Sequence, residues 1–185
     1  MSVESLVNYF KSKPLSGDSI KEAINKYPIL YSELKNYNSI DDVLGNEGYA
    51  ILMYEVSRYS GHYVSIFKDS KGNINFQDPY GFPVDVPINN NMVPFDKPLP
   101  RYLTLLLSKS KYNVIQNTFD YQSKQSTVQD CGRHSICRIK LRHLSNEQYK
   151  RLLINSSIPF LNCDNIVTLM TLLVLNKNVN QFYDK

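Results

Sequence analysis

The stretch from Tyr49 to Asp78 constrains the fold more than any other part of this chain. Tyr49 to Val56 is a near-continuous apolar run, Tyr63 to Phe67 follows after Ser60-Gly61, and Asn73 to Asp78 follows after the turn Lys71-Gly72. Short apolar runs bounded by turn residues read as strands buried on both faces, so three strands are predicted for the middle of a sheet, the last two joined as a hairpin. On either side the period is helical. Leu6, Tyr9 and Phe10 recur at helical spacing after Ser2, and Ile20, Ala23 and Ile24 do so after the cap candidate Asp18, stopping before Pro28. A short helix is predicted over Ile40 to Leu44 with Gly45 as its stop, and further helices over Tyr102 to Leu107, Cys131 to His143, after the capping box Ser145-Asn146-Glu147-Gln148, and over Asp164 to Asn176. Tyr112 to Gln116 reads as another strand. Pro79 to Pro100 holds six of the nine prolines and the run Asn89-Asn90-Asn91, which predicts an irregular surface loop. Helices flanking a central run of strands give a single α+β domain with a mixed or antiparallel sheet over residues 1–185.

The 185 residues suffice for one core, and 42% hydrophobic residues with 14 Tyr and 8 Phe can fill it. A net charge of +4, from 21 Lys+Arg against 17 Asp+Glu, is too mild to diagnose a nucleic-acid binder. Glu4, Asn8 and Lys11 interrupt the apolar positions at the start, so no secretory signal is expected and a reducing compartment is. The longest apolar run, Ile166 to Leu175, is roughly half the ~20 residues a membrane-spanning helix needs. Three Cys and three His leave few candidates for chemistry, and an odd number of thiols argues against a disulfide framework.

Among these, Cys131 has the most informative surroundings. A polar loop, Gln125-Ser126-Thr127-Val128-Gln129, leads to Asp130 as N-cap candidate, and Cys131 falls in the first helical turn. The free N–H groups and partial positive charge there favour a thiolate over a thiol. Gly132 permits close approach of a substrate backbone. A thiolate nucleophile also needs a base and donors for an oxyanion. His134 and His143 lie on the same predicted helix as the sulfur, whereas His62 starts a strand and Asp78 ends the partner strand, close to it across an antiparallel hairpin. That arrangement meets the requirements of a Cys–His–Asp relay. On their own, Cys137 and Cys163 read as small hydrophobes in helical stretches. Cys131, His134, Cys137 and His143 would spread around one helix and so do not predict a metal site.

Gly61-His62-Tyr63, then Phe76-Gln77-Asp78-Pro79-Tyr80-Gly81, then Gln125 six residues before Asp130-Cys131-Gly132, resembles the adenovirus-type and SUMO-deconjugating cysteine proteases, whose chain order is His, Asp, Gln, Cys. With Tyr121-Gln122 and Cys131-Gly132-Arg133-His134, preceded by the Tyr102 to Leu107 helix and Tyr112-Asn113-Val114, the pattern looks nearest to capsid-maturation proteases of virophages and Polinton-type elements, the mavirus group among them. The resemblance covers about residues 48 to 153. It implies an adenain-like α+β fold in which Cys131 stands at the N-terminus of a central helix as nucleophile, with His62 as base, Asp78 as its orienting acid, and Gln125 as oxyanion donor beside the Cys131 N–H. Tyr63 replaces the Trp, and Pro79 the Ser, that many relatives carry; Gln122 and Gln129 are neighbouring alternatives to Gln125.

The function so implied is a viral endopeptidase that processes capsid precursors after a small residue such as Gly, acting in the host cytoplasm or viral factory and packaged in the virion. It needs no cofactor by sequence, with DNA or a peptide as conceivable activators, and no membrane. Arg133 to Arg151 holds six Lys/Arg against one Glu, a stretch that either contacts DNA or forms a solvated helix face. Two other functions share the chain's features: an isopeptidase for ubiquitin-like conjugates, and an inactive DNA- or capsid-binding module.

Overall fold

The computed structural model describes residues 2–57, 60–89, 100–125, 127–154 and 161–175. Helix α1 (Val3–Lys11) begins where the Ser2 side chain accepts the Ser5 N–H. Helix α2 (Gly17–Ile24) is capped in the same way by Ser16, two residues before the expected Asp18, whose side chain instead accepts from the Tyr27 hydroxyl. Two elements without a sequence signal follow: the short strand β1 (Ile29–Leu30) and a 3-10 turn over Tyr31–Asn36. Helix α3 (Ile40–Leu44) opens on a Ser39/Asp42 capping box, and it stops at Gly45 as the sequence indicated.

The predicted strands form the centre of one five-stranded mixed sheet. Strands β2 (Tyr49–Ser57) and β3 (Ser60–Lys68) pair antiparallel with Tyr49 opposite Phe67 and Tyr54 opposite His62, and a bulge lies between Glu55 and Ser57. Strand β4 (Ile74–Gln77) pairs antiparallel with β3, its last partner being Ser65 opposite Gln77. Strand β5 (Val114–Gln116) lies parallel to β4, and β1 parallel to β2, so the order is β1-β2-β3-β4-β5.

Both faces are covered, which is why β3 reads as continuous apolar sequence. On one face Leu52, Tyr54, Val64, Ile66 and Phe76 pack against α3 and against helix α5 (Tyr102–Ser108). On the other, Ile51, Met53, Tyr63 and Phe67 meet α2 and the central helix α6 (Cys131–Lys140) through Ile136 and Ile139. Helices α7 (Asn146–Ile154) and α8 (Cys163–Val174) pack behind α6 around Tyr121, Cys137 and Tyr149. This is the α+β arrangement expected, with α6 ending at Lys140 instead of His143. Within the predicted loop Pro79 to Pro100, Val86–Asn89 forms the single turn of helix α4. Asn90, Asn91, Pro94 and Pro98 of that loop, and Asn176 of the last predicted helix, lie outside the described residues. Among the described residues no helix is long and apolar enough to cross a membrane.

The basic stretch Arg133 to Arg151 is not one face. Arg133 and Arg138 are buried. Arg138 lies over the rings of Phe67 and Tyr149 and donates to Gln77 Oε1 and to the carbonyls of Leu141 and Leu144, where it secures the end of α6. Arg151 pairs with Glu147 four residues earlier. The expected solvated or DNA-facing stripe therefore loses two of its six cations to the interior, because their guanidinium donors are used by main-chain carbonyls inside the fold.

Candidate active site

The first turn of α6 opens into a cleft of about 430 Å³ that Cys131 shares with His62, Tyr80 and Gln122. Cys131 is half-buried. Its fellow thiols differ. Burial pushes Cys137 up to about 12 and Cys163 up to about 11, and each donates to a main-chain carbonyl, of Val167 and Leu153 respectively. They are packing residues.

His62 and Asp78 converge as the hairpin geometry required. Strand β4 ends at Gln77, so Asp78 leaves the sheet just beyond the last β3–β4 pair, and its Oδ2 lies 3.0 Å from His62 Nε2. The other carboxylate oxygen, Oδ1, accepts the Tyr80 N–H at 2.7 Å. Asn117, just after β5, brackets the Asp78 backbone: its Oδ1 accepts the Asp78 N–H at 2.9 Å and its Nδ2 donates to the Asp78 carbonyl at 2.7 Å. With Nε2 held by Asp78, Nδ1 is the imidazole nitrogen left for the Cys131 sulfur, which shares the cleft. Burial alone would lower the His62 pKa, but the hydrogen bond and charge of Asp78, joined by those of Cys131, push it up to about 10. The electrostatics thus favour the imidazolium form of His62.

Pro79, where the cysteine proteases that the sequence resembles carry Ser, serves the cleft. It occupies the second position of a turn closed by the Gly81 N–H on the Asp78 carbonyl, where proline's fixed φ fits. Its own carbonyl accepts the N–H groups of both Tyr121 and Gln122, at 2.8 and 3.0 Å, so the Asp78 turn and the Gln122 segment are tied together. Tyr80 stacks on His62 with ring centroids 5.0 Å apart and planes 19° from parallel, shielding the imidazole. Tyr63 instead packs with the α6 face of the sheet.

Gln125 is not brought to the cleft. It is exposed and absent from the cleft lining; its main-chain N–H donates to Ser123 Oγ and its carbonyl accepts the Val128 N–H, which together turn the loop outward. Gln122 lines the cleft instead. It is buried, with Nε2 donating to the Tyr80 hydroxyl at 3.0 Å and standing 3.5 Å from the Val128 carbonyl. Gln129 lines the cleft too, with its side chain exposed.

Asp130 is also used differently from a capping residue. Its side chain makes no cap hydrogen bond; it turns inward, where Oδ2 accepts from the Thr168 hydroxyl at 3.0 Å and Oδ1 stands 3.5 Å from Arg133. Burial pushes this carboxyl up to about 7, with Arg133 opposing the rise and Asp164 adding to it. His134 has its own carboxylate, Asp164, at 2.9 Å, and the second oxygen of Asp164 accepts the Ser123 N–H beside Gln122. This second His–Asp pair lies outside the cleft. Among the described residues no cluster of three or more His, Cys, Asp or Glu could hold a metal.

Tyr80 and Asn117 are the site residues that sequence reasoning did not single out. Tyr80 stood inside the quoted Asp78 motif, and Gln122 among the alternatives to Gln125; Asn117 carried no signal, since its role depends on β5 pairing beside β4.

No protein-family model matches the chain. A solved structure, the central domain of uncharacterized Lpg1148 protein from Legionella pneumophila, aligns over 91% of this chain and 99% of that one with a TM-score of 0.46 and 15% identity. The Sputnik virophage "Uncharacterized protein V9" is 31% identical over 179 residues, covering 90% of this chain and 98% of that protein. With near-complete coverage of both chains at that identity, this chain belongs to the same family as V9 of Sputnik virophage.

Proposed function

We propose that this protein is a cysteine endopeptidase that cleaves viral capsid precursors. The observation that carries the reading is the meeting, in one cleft, of a helix-N-terminal Cys131 with a His62 whose far nitrogen is held by buried Asp78. The adenovirus-type motif order and membership in a virophage protein family support the choice of a viral substrate.

The His62 imidazolium faces Cys131, which attacks in its thiolate form. The sulfur attacks the scissile carbonyl, forming the C–S bond, while the Cys131 N–H and one Nε2 hydrogen of Gln122 receive the oxyanion. Collapse breaks the C–N bond and His62 gives its proton to the leaving amine. His62 then takes a proton from water, the resulting hydroxide attacks the thioester, and the acid leaves as the ion pair re-forms. Gln122 replaces Gln125 in the oxyanion role because it is the buried glutamine at the cleft.

The test is incubation of the purified protein with the co-encoded major capsid precursor, with and without added DNA, followed by mass-mapping of the cut. Cys131→Ala is expected to leave no measurable cleavage and His62→Ala almost none. Wild-type cleavage by either variant sinks the proposal.

A further inference from the structure

Three consecutive main-chain N–H groups, those of Tyr121, Gln122 and Ser123, are taken by two acceptors. The Pro79 carbonyl takes the first two, at 2.8 and 3.0 Å, and Oδ2 of Asp164 takes the third at 3.1 Å. The acceptors belong to opposite halves of the site. Pro79 follows Asp78, the partner of His62. The other oxygen of Asp164, Oδ1, lies 2.9 Å from Nε2 of His134, one turn along α6 from Cys131. Gln122 thus stands where the His62 half and the Cys131 half are joined.

On the His62 side Gln122 is held twice, by its N–H on the Pro79 carbonyl and by Nε2, which donates to the hydroxyl of the Tyr80 that stacks on His62. On the Cys131 side its own amide comes only to 3.5 Å from the Val128 carbonyl, so the shorter tie is the one through Ser123 and Asp164. Helix α8, which carries Asp164, is itself registered on the nucleophile turn. One turn further on, the Thr168 hydroxyl donates at 3.0 Å to Oδ2 of Asp130, the residue before Cys131. Asp164, Thr168, His134 and Asp130 are all buried, where a donor or acceptor that loses its partner has no water to replace it. Helix α8 therefore grips α6 on both sides of Cys131 and passes that reference to the residue after Gln122. Neither Asp164 nor His134 lines the cleft, so the pair acts on the site through its neighbours.

We propose that Asp164 is a positioning residue: bonded to His134 on one side and to the Ser123 N–H on the other, it registers the Gln122 amide against Cys131 so that the amide meets the oxyanion. The role rests on the protease reading and on Gln122 as oxyanion donor.

The experiment uses the full chain and two reactions of Cys131. In one, the p-nitrophenyl ester of N-acetylglycylglycine acylates the sulfur through a tetrahedral oxyanion and p-nitrophenolate leaves, read as a burst of colour. In the other, iodoacetamide alkylates the sulfur with loss of iodide and no oxyanion, read by mass mapping of tryptic peptides. Asp164→Ala is expected to slow the burst by about 10–100-fold, the cost of a displacement on the order of 1 Å, and to leave alkylation within about twofold of wild type. In a Gln122→Ala background the same substitution should slow the burst by less than about twofold further. Where Asp164→Ala does not fold, His134→Phe combined with Asp164→Leu fills the volume of the pair with apolar side chains and is expected to show the same split. A folded variant whose alkylation falls as far as its burst, or whose loss is as large with Gln122→Ala as without it, overturns the positioning role and leaves the protease reading standing. So does a wild-type burst from Asp164→Ala or from Gln122→Ala. A wild-type chain that gives no burst overturns the role, and if its Cys131 also reacts with iodoacetamide at pH 6 no faster than Cys163, the protease reading falls with it.

Discussion

Nε2 of His62 lies 3.0 Å from Oδ2 of Asp78, with both side chains buried and the Asp78 backbone clamped on each side by Asn117. A carboxylate so held accepts the Nε2–H, so that when His62 has given up its other proton the neutral ring keeps the tautomer in which Nδ1 faces the sulfur. Asp78→Asn keeps the shape but offers an amide that can donate to Nε2, which disfavours that tautomer. Turnover is expected to fall by about 10²–10⁴-fold with a small change in KM, measured by steady-state cleavage of a capsid-derived peptide.

The raised pKa of His62 makes stability depend on alkaline pH. The folded protein keeps this proton up to about pH 10, whereas an unfolded histidine releases it near 6.5. Between those values the unfolded state binds fewer protons, so the His62 contribution is fully present below pH 6.5 and is lost as pH rises toward 10. Urea midpoints measured across that window should fall more steeply for the wild type than for His62→Gln. Cys131→Ala, which removes one of the groups raising the pKa, should move the imidazole titration seen by ¹⁵N NMR to lower pH.

Asp130 adds an effect of the same sign at lower pH. Its folded-state pKa of about 7 exceeds the 3.8 of a free aspartate, so the folded state binds more protons between those values and stability falls as pH rises through them. Asp130→Asn retains an acceptor for the Thr168 hydroxyl but has no proton to release. Its melting temperature should decline less than that of the wild type between pH 4 and 7, as followed by calorimetry.

The parts of this fold and site that were legible beforehand are those governed by local pattern or by motif order. The turns at Ser60-Gly61 and Lys71-Gly72 delimit three strands, and the antiparallel hairpin they create is enough to place Asp78 beside His62. Capping chemistry locates the start of α1 and the stop of α3. What was not legible depends on long-range packing. Strand β1 is two residues long and exists by pairing with Leu52 and Met53. Asp130 has the composition of a cap, yet Thr168 and Arg133 draw its carboxylate inward. Arg133 and Arg138 look like surface charge until the Lys13, Leu141 and Leu144 carbonyls are seen to need donors. Gln125 sits at the spacing from Cys131 that the resemblance to cysteine proteases rests on, but the loop path is set by the Pro79 carbonyl holding Tyr121 and Gln122, three residues upstream.

That difference between the two glutamines can be measured directly. Gln122→Ala removes the buried amide at the cleft and should lower turnover by about 10²–10³-fold, the range for loss of one oxyanion donor. Gln125→Ala alters an exposed loop residue and should leave turnover within about threefold of wild type. The reverse ranking in single-turnover acylation rates would return the oxyanion role to Gln125.

Gly61 links strand packing to the position of His62. A Cβ at this residue would run into the Tyr54 carbonyl oxygen and come within 2.8 Å of Met53 Cγ, both on the neighbouring strand β2. A main-chain oxygen within a paired strand has little freedom to yield, so β3 has to move away from β2 at the residue preceding His62. Overpacking of this kind destabilises by about 1–3 kcal/mol, and here the displacement acts on an imidazole whose hydrogen bond to Asp78 has little slack at 3.0 Å. Gly61→Ala is therefore expected to lower the urea midpoint and, in the fraction that remains folded, to slow alkylation of Cys131 by iodoacetamide. A stable variant with wild-type alkylation would mean that β2 and β3 separate without carrying His62 with them.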